Sequence, residues 1–269
     1  GAGLRTWLNV IVLSFSFVVI IWMKGIMAGW DQQAKTDMRN WEIGAGQYWQ
    51  ENYVPYDPFT LNDSHAPIPG EVQHEIEKGG IVPVLIAQGT IYPEGRMQSI
   101  LVKGIKTNQD VLALPTAKLD TMVNALPAII GSSMARANDL EVGDYVTMQW
   151  RDANGTFDAA EIMIASVFST NVPSVDNGQV WISLDELQRM MLLPGEATML
   201  TLKNREGEWP ELQNWNIKTV KDLTAEIDQM IKTKTIGQSV FYIILLLLAM
   251  LAIFDTQVLS ILRQQKEIG

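Results

Sequence analysis

Few side chains in this sequence are equipped for chemistry. Cysteine is absent and histidine occurs only at 65 and 74. That excludes disulfide frameworks, thiolate metal sites, iron–sulfur clusters and thiol nucleophiles. His65 and His74 flank a proline-rich stretch with no HExxH pattern, and solvated polar residues are the simpler reading of both. No phosphate-cradling glycine loop with its lysine occurs. Gly104-Ile105-Lys106-Thr107 ends like one but lacks the upstream glycine. No G-x-G-x-x-G or G-x-S-x-G is present, so catalytic, cofactor and metal residues are expected to be none in this chain. The charge is −10, from 20 Lys plus Arg against 30 Asp plus Glu, which argues against nucleic acid as a partner.

The residues that stand out otherwise are Asp255, alone inside an apolar run, and the closing group Arg263, Gln264, Gln265, Lys266 and Glu267. A carboxylate among apolar membrane residues is costly and marks a functional candidate. Asp255 is off-centre in its run. An interhelical hydrogen bond and contact with water or headgroups both fit it.

These positions depend on two long apolar runs. Trp7 to Met23 carries no charge, and with Lys24 and Gly25 to Gly29 it makes 23 residues. Val240 to Leu262 is another 23 with the single charge Asp255. About 20 apolar residues cross a bilayer core. The first run is longer than a signal-peptide core and lacks a small-residue cleavage site after it. Trp7, Trp22, Phe241 and Tyr242 sit near the run ends, as interfacial aromatic residues do. The stretch between the runs, 28–239, holds 16 basic and 28 acidic residues, a net −12. Two transmembrane helices therefore bracket an acidic domain, with both termini on one side of the bilayer. Basic residues flank both sides of the runs, so charge counting leaves the orientation open. A chain beginning at Gly1 and stopping at Gly269 just after an apolar run is expected to be a piece of a longer protein.

Helical periodicity continues past both runs. Ile26, Trp30, Ala34, Met38 and Trp41 recur at spacings of three and four, with polar residues between, until Gly44 and Gly46 break the pattern. Thr219 and Asp222 form a T-x-x-D capping box, followed by Val220, Leu223 and Ile227. Either the two helices extend as a stalk of rods, or the stripes are ordinary core faces of the domain. The predicted organisation is 1–27 membrane helix, 28–239 domain with helical stalk ends at 28–41 and 219–239, 240–262 membrane helix, and 263–269 the start of a cytoplasmic segment.

Within the domain, Val54 to Gly70 reads as loop and Glu71 to Lys78 as a short helix. Ile81 to Gly89 and Met97 to Ile105 read as strands around a Tyr92–Arg96 turn. Ala128 to Gly131 is a strand and Ser132 to Asn138 a helix. Tyr145 to Arg151 and Thr156 to Ser169 are strands joined by an Asp152-to-Gly155 hairpin turn. Gln179 to Ile182 is a strand, Ser183 opens a helix, and Ala197 to Leu202 is a further strand. Clustered strands with short helices predict an α+β fold.

Pro127 to Phe168, PAIIGSSMARANDLEVGDYVTMQWRDANGTFDAAEIMIASVF, resembles the extracytoplasmic domain of MacB-, LolC/LolE- and FtsX-type ABC transporter permeases. The similar features are an apolar strand into Gly131-Ser132, a short alanine-containing helix, and Leu140-x-x-Gly143-Asp144 before a hairpin. Val180 to Lys203 continues the similarity. Asp255 to Gly269, DTQVLSILRQQKEIG, is similar to the family's second membrane helix running into its coupling segment. The resemblance implies a bacterial inner-membrane permease with four membrane helices, its large domain in the periplasm and its termini in the cytoplasm. It implies a homo- or heterodimer and a separate cytoplasmic ATPase that holds ATP and Mg, so that this chain is itself no enzyme. Motion would pass along the stalk to export or extract an amphiphilic cargo such as a lipoprotein, lipid-like molecule or peptide. A periplasmic chaperone or adaptor would be a further partner, with the Tyr92–Arg96 turn one candidate contact. Arg263, Gln264, Gln265, Lys266 and Glu267 would face the ATPase, although Arg263 and Lys266 also fit lipid anchors. The alternative is an FtsX-like regulator that signals to a periplasmic cell-wall hydrolase.

Overall fold

A computed structural model describes residues 2–55, 57–121, 125–204 and 209–225, and beyond them only residues 229, 237, 239, 242–244, 246, 247, 250, 251 and 254. The chain divides into two compact units. One is Ala34–Leu223; the other comprises Gly1–Gln33 and Thr224–Gly269.

Helix α1 runs Ala2–Met38 and continues as a π-helical turn over Arg39–Ile43. It contains no proline to break it. Helix and turn together include the stretch, Leu13–Ile43, that is long and apolar enough to cross a membrane, and the apolar window in it is unburied. Ile11, Phe15, Val18, Ile21 and Trp22 all present exposed side chains. The described positions of the second apolar run are helical, and Ile243, Leu247, Met250, Leu251 and Phe254 are exposed there.

The unit Ala34–Leu223 is α+β, as the sequence predicts. Its strands are β1 (Gly46–Gln50), β2 (Ala66–Pro67), β3 (Ile81–Ile91), β4 (Gln98–Ile105), β5 (Leu126–Gly131), β6 (Tyr145–Arg151), β7 (Phe157–Phe168), β8 (Gln179–Ser183), β9 (Glu196–Ala197), β10 (Met199–Leu202) and β11 (Trp215–Thr219). Its short helices are α2 (Gln73–Glu77), α3 (Ser132–Asn138), α4 (Pro173–Asp176), α5 (Leu184–Met191) and α6 (Val220–Leu223). The main sheet has the order β11-β1-β10-β3-β4-β8-β5-β7-β6, and β6 pairs again with β3. Strands β3, β4, β8, β5, β7 and β6 therefore close into a ring. β10, β1 and β11 continue the sheet away from it along β3.

Strand β3 can serve both parts because it is long and apolar on both faces. Leu85, Ala87 and Ile91 join the core inside the ring, with Val102 of β4, Ile130 of β5, Met148 of β6, Ile164 of β7 and Ile182 of β8. Val82, Val84 and Ile86 face a second core outside it, with Ile105, Ile129, Trp181, Leu112, Leu114, Phe168, Val172 and Val175. Strand β6 alternates instead: Val146, Met148 and Trp150 are buried while Tyr145 and Thr147 meet solvent, the pattern of a strand with one wet face. Helix α5 is amphipathic and closes onto the inner core through Leu184, Leu187 and Met191. A third core lies under β1 and β10, where Tyr48, Leu200 and Leu202 meet Val72, Ile76 and Trp215.

Within this unit the predicted strands and short helices are present with ends moved by a few residues. Strands β1, β2 and β11 and helix α4 have no counterpart in the sequence reading; β2 (Ala66–Pro67) lies in the stretch Val54 to Gly70 expected to be loop, where it pairs with β9. Most of the 219–239 stalk end and of the second membrane helix lies outside the described residues.

Candidate functional site: the joint between helix and sheet

The joint begins at the last turns of α1. Met38 and Trp41 pack against the outer core, and the Trp41 ring stacks on Phe168 at 5.5 Å between centroids. The π turn is closed by the Gly44 N–H donating to the Arg39 carbonyl at 2.8 Å. The Asn40 carbonyl accepts from the Ala113 N–H at 2.8 Å, and Asp37 Oδ2 accepts from Asn171 Nδ2 at 3.2 Å. These bonds come from loops far along the chain, so the helix end is built into the domain rather than laid on it.

Glu42 is the centre of the polar part. Its backbone carbonyl accepts from Gln47 Nε2 at 2.8 Å, and Gln47 Oε1 accepts from Trp49 Nε1 at 2.7 Å. Its Oε2 accepts from Ser174 Oγ at 2.9 Å. Its Oε1 lies 4.0 Å from Lys103 Nζ on β4. Lys103 is buried, and its ammonium stands 5.0 Å from the centroid of the Trp181 ring, a cation–π distance.

Burial pushes the Lys103 ammonium below its ordinary 10.5, and Glu42 partly restores it. An unfolded chain keeps this proton up to 10.5 while the fold releases it earlier, so stability rises with pH in that window. Tyr48 acts in the opposite sense. Its hydroxyl donates to the Pro210 carbonyl, and burial holds the phenol above 10.0, so its contribution is lost as pH climbs past that value. Thermal midpoints of the native chain and Lys103→Met, compared from neutrality to pH 10.0, should converge as pH rises, with the lysine form gaining. Parallel curves would show that the lysine carries no buried charge.

The other side of the joint is the outgoing chain. β11 pairs with β1 antiparallel, Gly46 opposite Thr219 and Gln50 opposite Trp215. The Thr219–Asp222 capping box is formed: Thr219 N and Oγ1 donate to Asp222 Oδ2 at 2.9 and 2.7 Å, and the Asp222 N–H returns to Thr219 Oγ1 at 3.3 Å. The Thr219 side chain above all, then its N–H, holds the Asp222 carboxyl below its usual 3.8. Helix α6 starts at once. The incoming helix stops at Ile43 and the outgoing one begins at Val220, on adjacent ends of one strand pair.

Met38 lies in the joint, and Val220 and Leu223 are half-buried in α6. Ile26 is half-buried, while Trp30 is 67% exposed and Ala34 is exposed too. The first stripe is thus a core face only at its Met38 and Trp41 end. Ile227, Asp255 and Arg263, Gln264, Gln265, Lys266 and Glu267 lie outside the described residues. Glu42, Lys103, Gln47 and Trp181 were not singled out from the sequence. Lys103 carried a signal, as the one charge inside Ser99-Ile-Leu-Val-Lys-Gly-Ile105.

Elsewhere, His65 Nδ1 bonds the Glu196 carboxylate and His74 is exposed on α2. Among the described residues no group of three His, Cys, Asp or Glu side chains is placed to hold a metal. Gly104 is embedded in the β4–β8 ladder, and a Cβ there would stand 2.8 Å from that of Leu187, so this glycine lines a strand and cradles no phosphate. The Tyr92–Arg96 turn is tied to β6, with the Tyr92 N–H on the Thr147 carbonyl at 3.0 Å and its hydroxyl on Gln149 Oε1 at 2.7 Å.

No protein-family model matches this sequence, and no curated protein matches it. Two solved domains are similar in structure. The periplasmic region of MacB from Actinobacillus actinomycetemcomitans is 12% identical, covering 71% of this chain and 95% of that one, with a TM-score of 0.45. The extracellular domain of the noncanonic ABC-type transporter YknZ from Gram-positive bacteria is 14% identical, covering 60% and 84%, with a TM-score of 0.34. Both are extracytoplasmic domains of the kind the sequence resembles. At these values the likeness is one of chain arrangement, and the functional reading rests on this chain's own residues.

Proposed function

We propose that this chain is a permease subunit of an ATP-driven ABC transporter of the MacB, LolCDE or FtsX type. Its domain lies outside the cytoplasmic membrane, and a separate cytoplasmic ATPase supplies ATP and Mg. The observation that carries the proposal is the register pair Gly46–Thr219. It brings the end of α1 and the start of α6 to the same end of one strand pair, so two helices join the domain side by side. A domain anchored only to stay near a membrane needs one flexible tether. Paired strands carrying a helix each, one with its last turn locked by the Asn40, Glu42 and Trp41 contacts, suit the transfer of motion. The second apolar run serves as the second membrane helix, and both helices extend as a stalk through Ile26, Trp30, Met38, Val220, Leu223 and Ile227. A second permease copy completes the unit, and an amphiphilic cargo is moved. Asp255 is the polar position within the second span.

Two measurements test this. Reconstitution of the intact protein with its ATPase should show ATP-dependent release of cargo from the membrane. ATP turnover with no release, together with activation of an external cell-wall hydrolase, would establish the regulator instead. Arg263→Glu with Lys266→Glu should reduce ATPase association by roughly 100-fold, as removal of buried or paired interfacial charges does, with membrane insertion unchanged. Unaltered association would mean that the two residues are lipid anchors.

A further inference from the structure

The joint contains a charge that stability does not explain. Lys103 has a side chain only 6% exposed, over the ring of Trp181, which belongs to the outer apolar core. Apolar residues of similar volume usually serve at least as well as a buried ion pair. Its one acidic neighbour among the described residues, Glu42, is built differently. Its side chain is 23% exposed, and one oxygen is shared with the Ser174 hydroxyl. The glutamate has water within reach and the lysine does not. At 4.0 Å the pair is longer than the roughly 2.7–2.9 Å of a direct charge-assisted hydrogen bond, so it acts as an attraction between charges, which a shift of the helix end would forfeit.

We propose that Lys103 is a catch that, through Glu42, fixes the last turns of α1 at one position on the outer face of the strand ring. The hydrogen bonds at Asp37, Asn40 and the Glu42 carbonyl tie the helix end to loops and to β1, and the apolar contacts of Met38 and Trp41 are non-directional, so Lys103 supplies the one charged tie from the ring itself to these turns among the described residues. A shift of one turn, about 5.4 Å, would carry Glu42 into water and leave the ammonium without a counter-charge in an apolar layer. The catch therefore converts displacement of the helix end into displacement of the ring. It gives the lever reading above its stiff joint and rests on that reading for its purpose. The stiffness itself is measured with no ATPase present, so failure of the catch and failure of the transport reading are separate results.

Because the sequence has no cysteine, Ala34→Cys and Glu161→Cys, at exposed positions of the helix end and of β7, accept spin labels in the full chain in lipid nanodiscs. Pulsed distance measurements should give a narrow distribution in the otherwise native chain. Lys103→Met should broaden or displace it by about 1–2 Å, the scale of helix shifts at packed interfaces, while the denaturation midpoint stays level or rises. Glu42→Gln should broaden it as well and lower the midpoint. A Lys103→Met distribution with the native width and the native mean, with the fold intact, overturns the proposal. Should Glu42→Gln fail to fold, the Lys103→Met result decides.

Discussion

Gly44→Ala should lower the stability of the domain by about 3 kcal/mol or more, seen as a fall in urea midpoint at unchanged slope. The residue sits at φ 60° and ψ −140°, a combination that glycine alone enters without strain. Its surroundings leave no room either. An added Cβ would lie 2.5 Å from the Leu202 carbonyl oxygen and 2.8 Å from Thr201 Cγ2. Neither can retreat freely. The Leu202 carbonyl accepts from the Ala45 N–H at 2.8 Å, and Thr201 is paired with Gln47 across β1 and β10. The Gly44 N–H also closes the π turn, so the strain falls on the bond that ends the helix. Gly79→Ala is the control. That glycine has φ +76° but open space around it, so its cost should be about 1 kcal/mol, from backbone conformation alone. Equal costs at the two sites would mean that the chain between helix and sheet yields easily, against the proposed transfer of motion through it.

The parts of this fold that announce themselves in sequence are those whose signal is local. The apolar strand and helix β5 and α3 were legible from an apolar run ending in Gly-Ser. The pair β6 and β7 was legible from alternation around Asp-Ala-Asn-Gly, and α5 from Ser183 at its start and Pro194-Gly195 beyond its end. Strands β1 and β11 were not. Gly46-Gln-Tyr-Trp-Gln50 is buried along almost its whole length yet carries two glutamines, Gln47 bonding the Glu42 carbonyl, Thr201 and Trp49 rather than facing water. Trp215-Asn-Ile-Lys-Thr219 is a sheet edge with few buried residues. Both therefore lack the pattern by which strands are recognised; β1 follows the end of α1 and β11 leads into α6. Closure of the ring was hidden for another reason. It depends on the parallel pairings β4–β8 and β5–β7 and on the return of β6 to β3, and non-local pairing leaves no mark on any short window. Lys103 shows the same limit: its oddity is visible in a strand, but Glu42 lies far up the chain. The stripe from Ile26 to Trp41 meets a related limit, since periodicity reports one apolar face and says nothing about what covers it.

The second large effect belongs to Asp176, which holds α3 and α4 together behind β5. Its carboxylate accepts from the Ser133 N–H and the Ser132 hydroxyl, each at 3.2 Å, and from the Ser133 hydroxyl. It thus does for α3 what a capping side chain usually does from within the chain. The approach is close because Gly131 has no side chain: a Cβ there would stand 2.3 Å from the Asp176 carbonyl oxygen. Asp176→Ala removes the acceptor while the donors stay part-buried, at a cost of about 2–4 kcal/mol by the penalty for orphaned groups and a lost cap. Asp176→Asn keeps one acceptor oxygen and should recover about half of that loss. The measurement is a denaturation series on the two variants alongside Ser133→Ala, which removes one donor while leaving the carboxylate in place and should cost least. If asparagine is no better than alanine, the carboxylate acts through its charge and not as an acceptor for these donors. Helix α4 leads directly into β8 and so sets the height of Trp181 against Lys103. A loosened Asp176 should therefore also loosen the end of α1, and amide exchange over Arg39–Ile43 would register it far from the substituted residue.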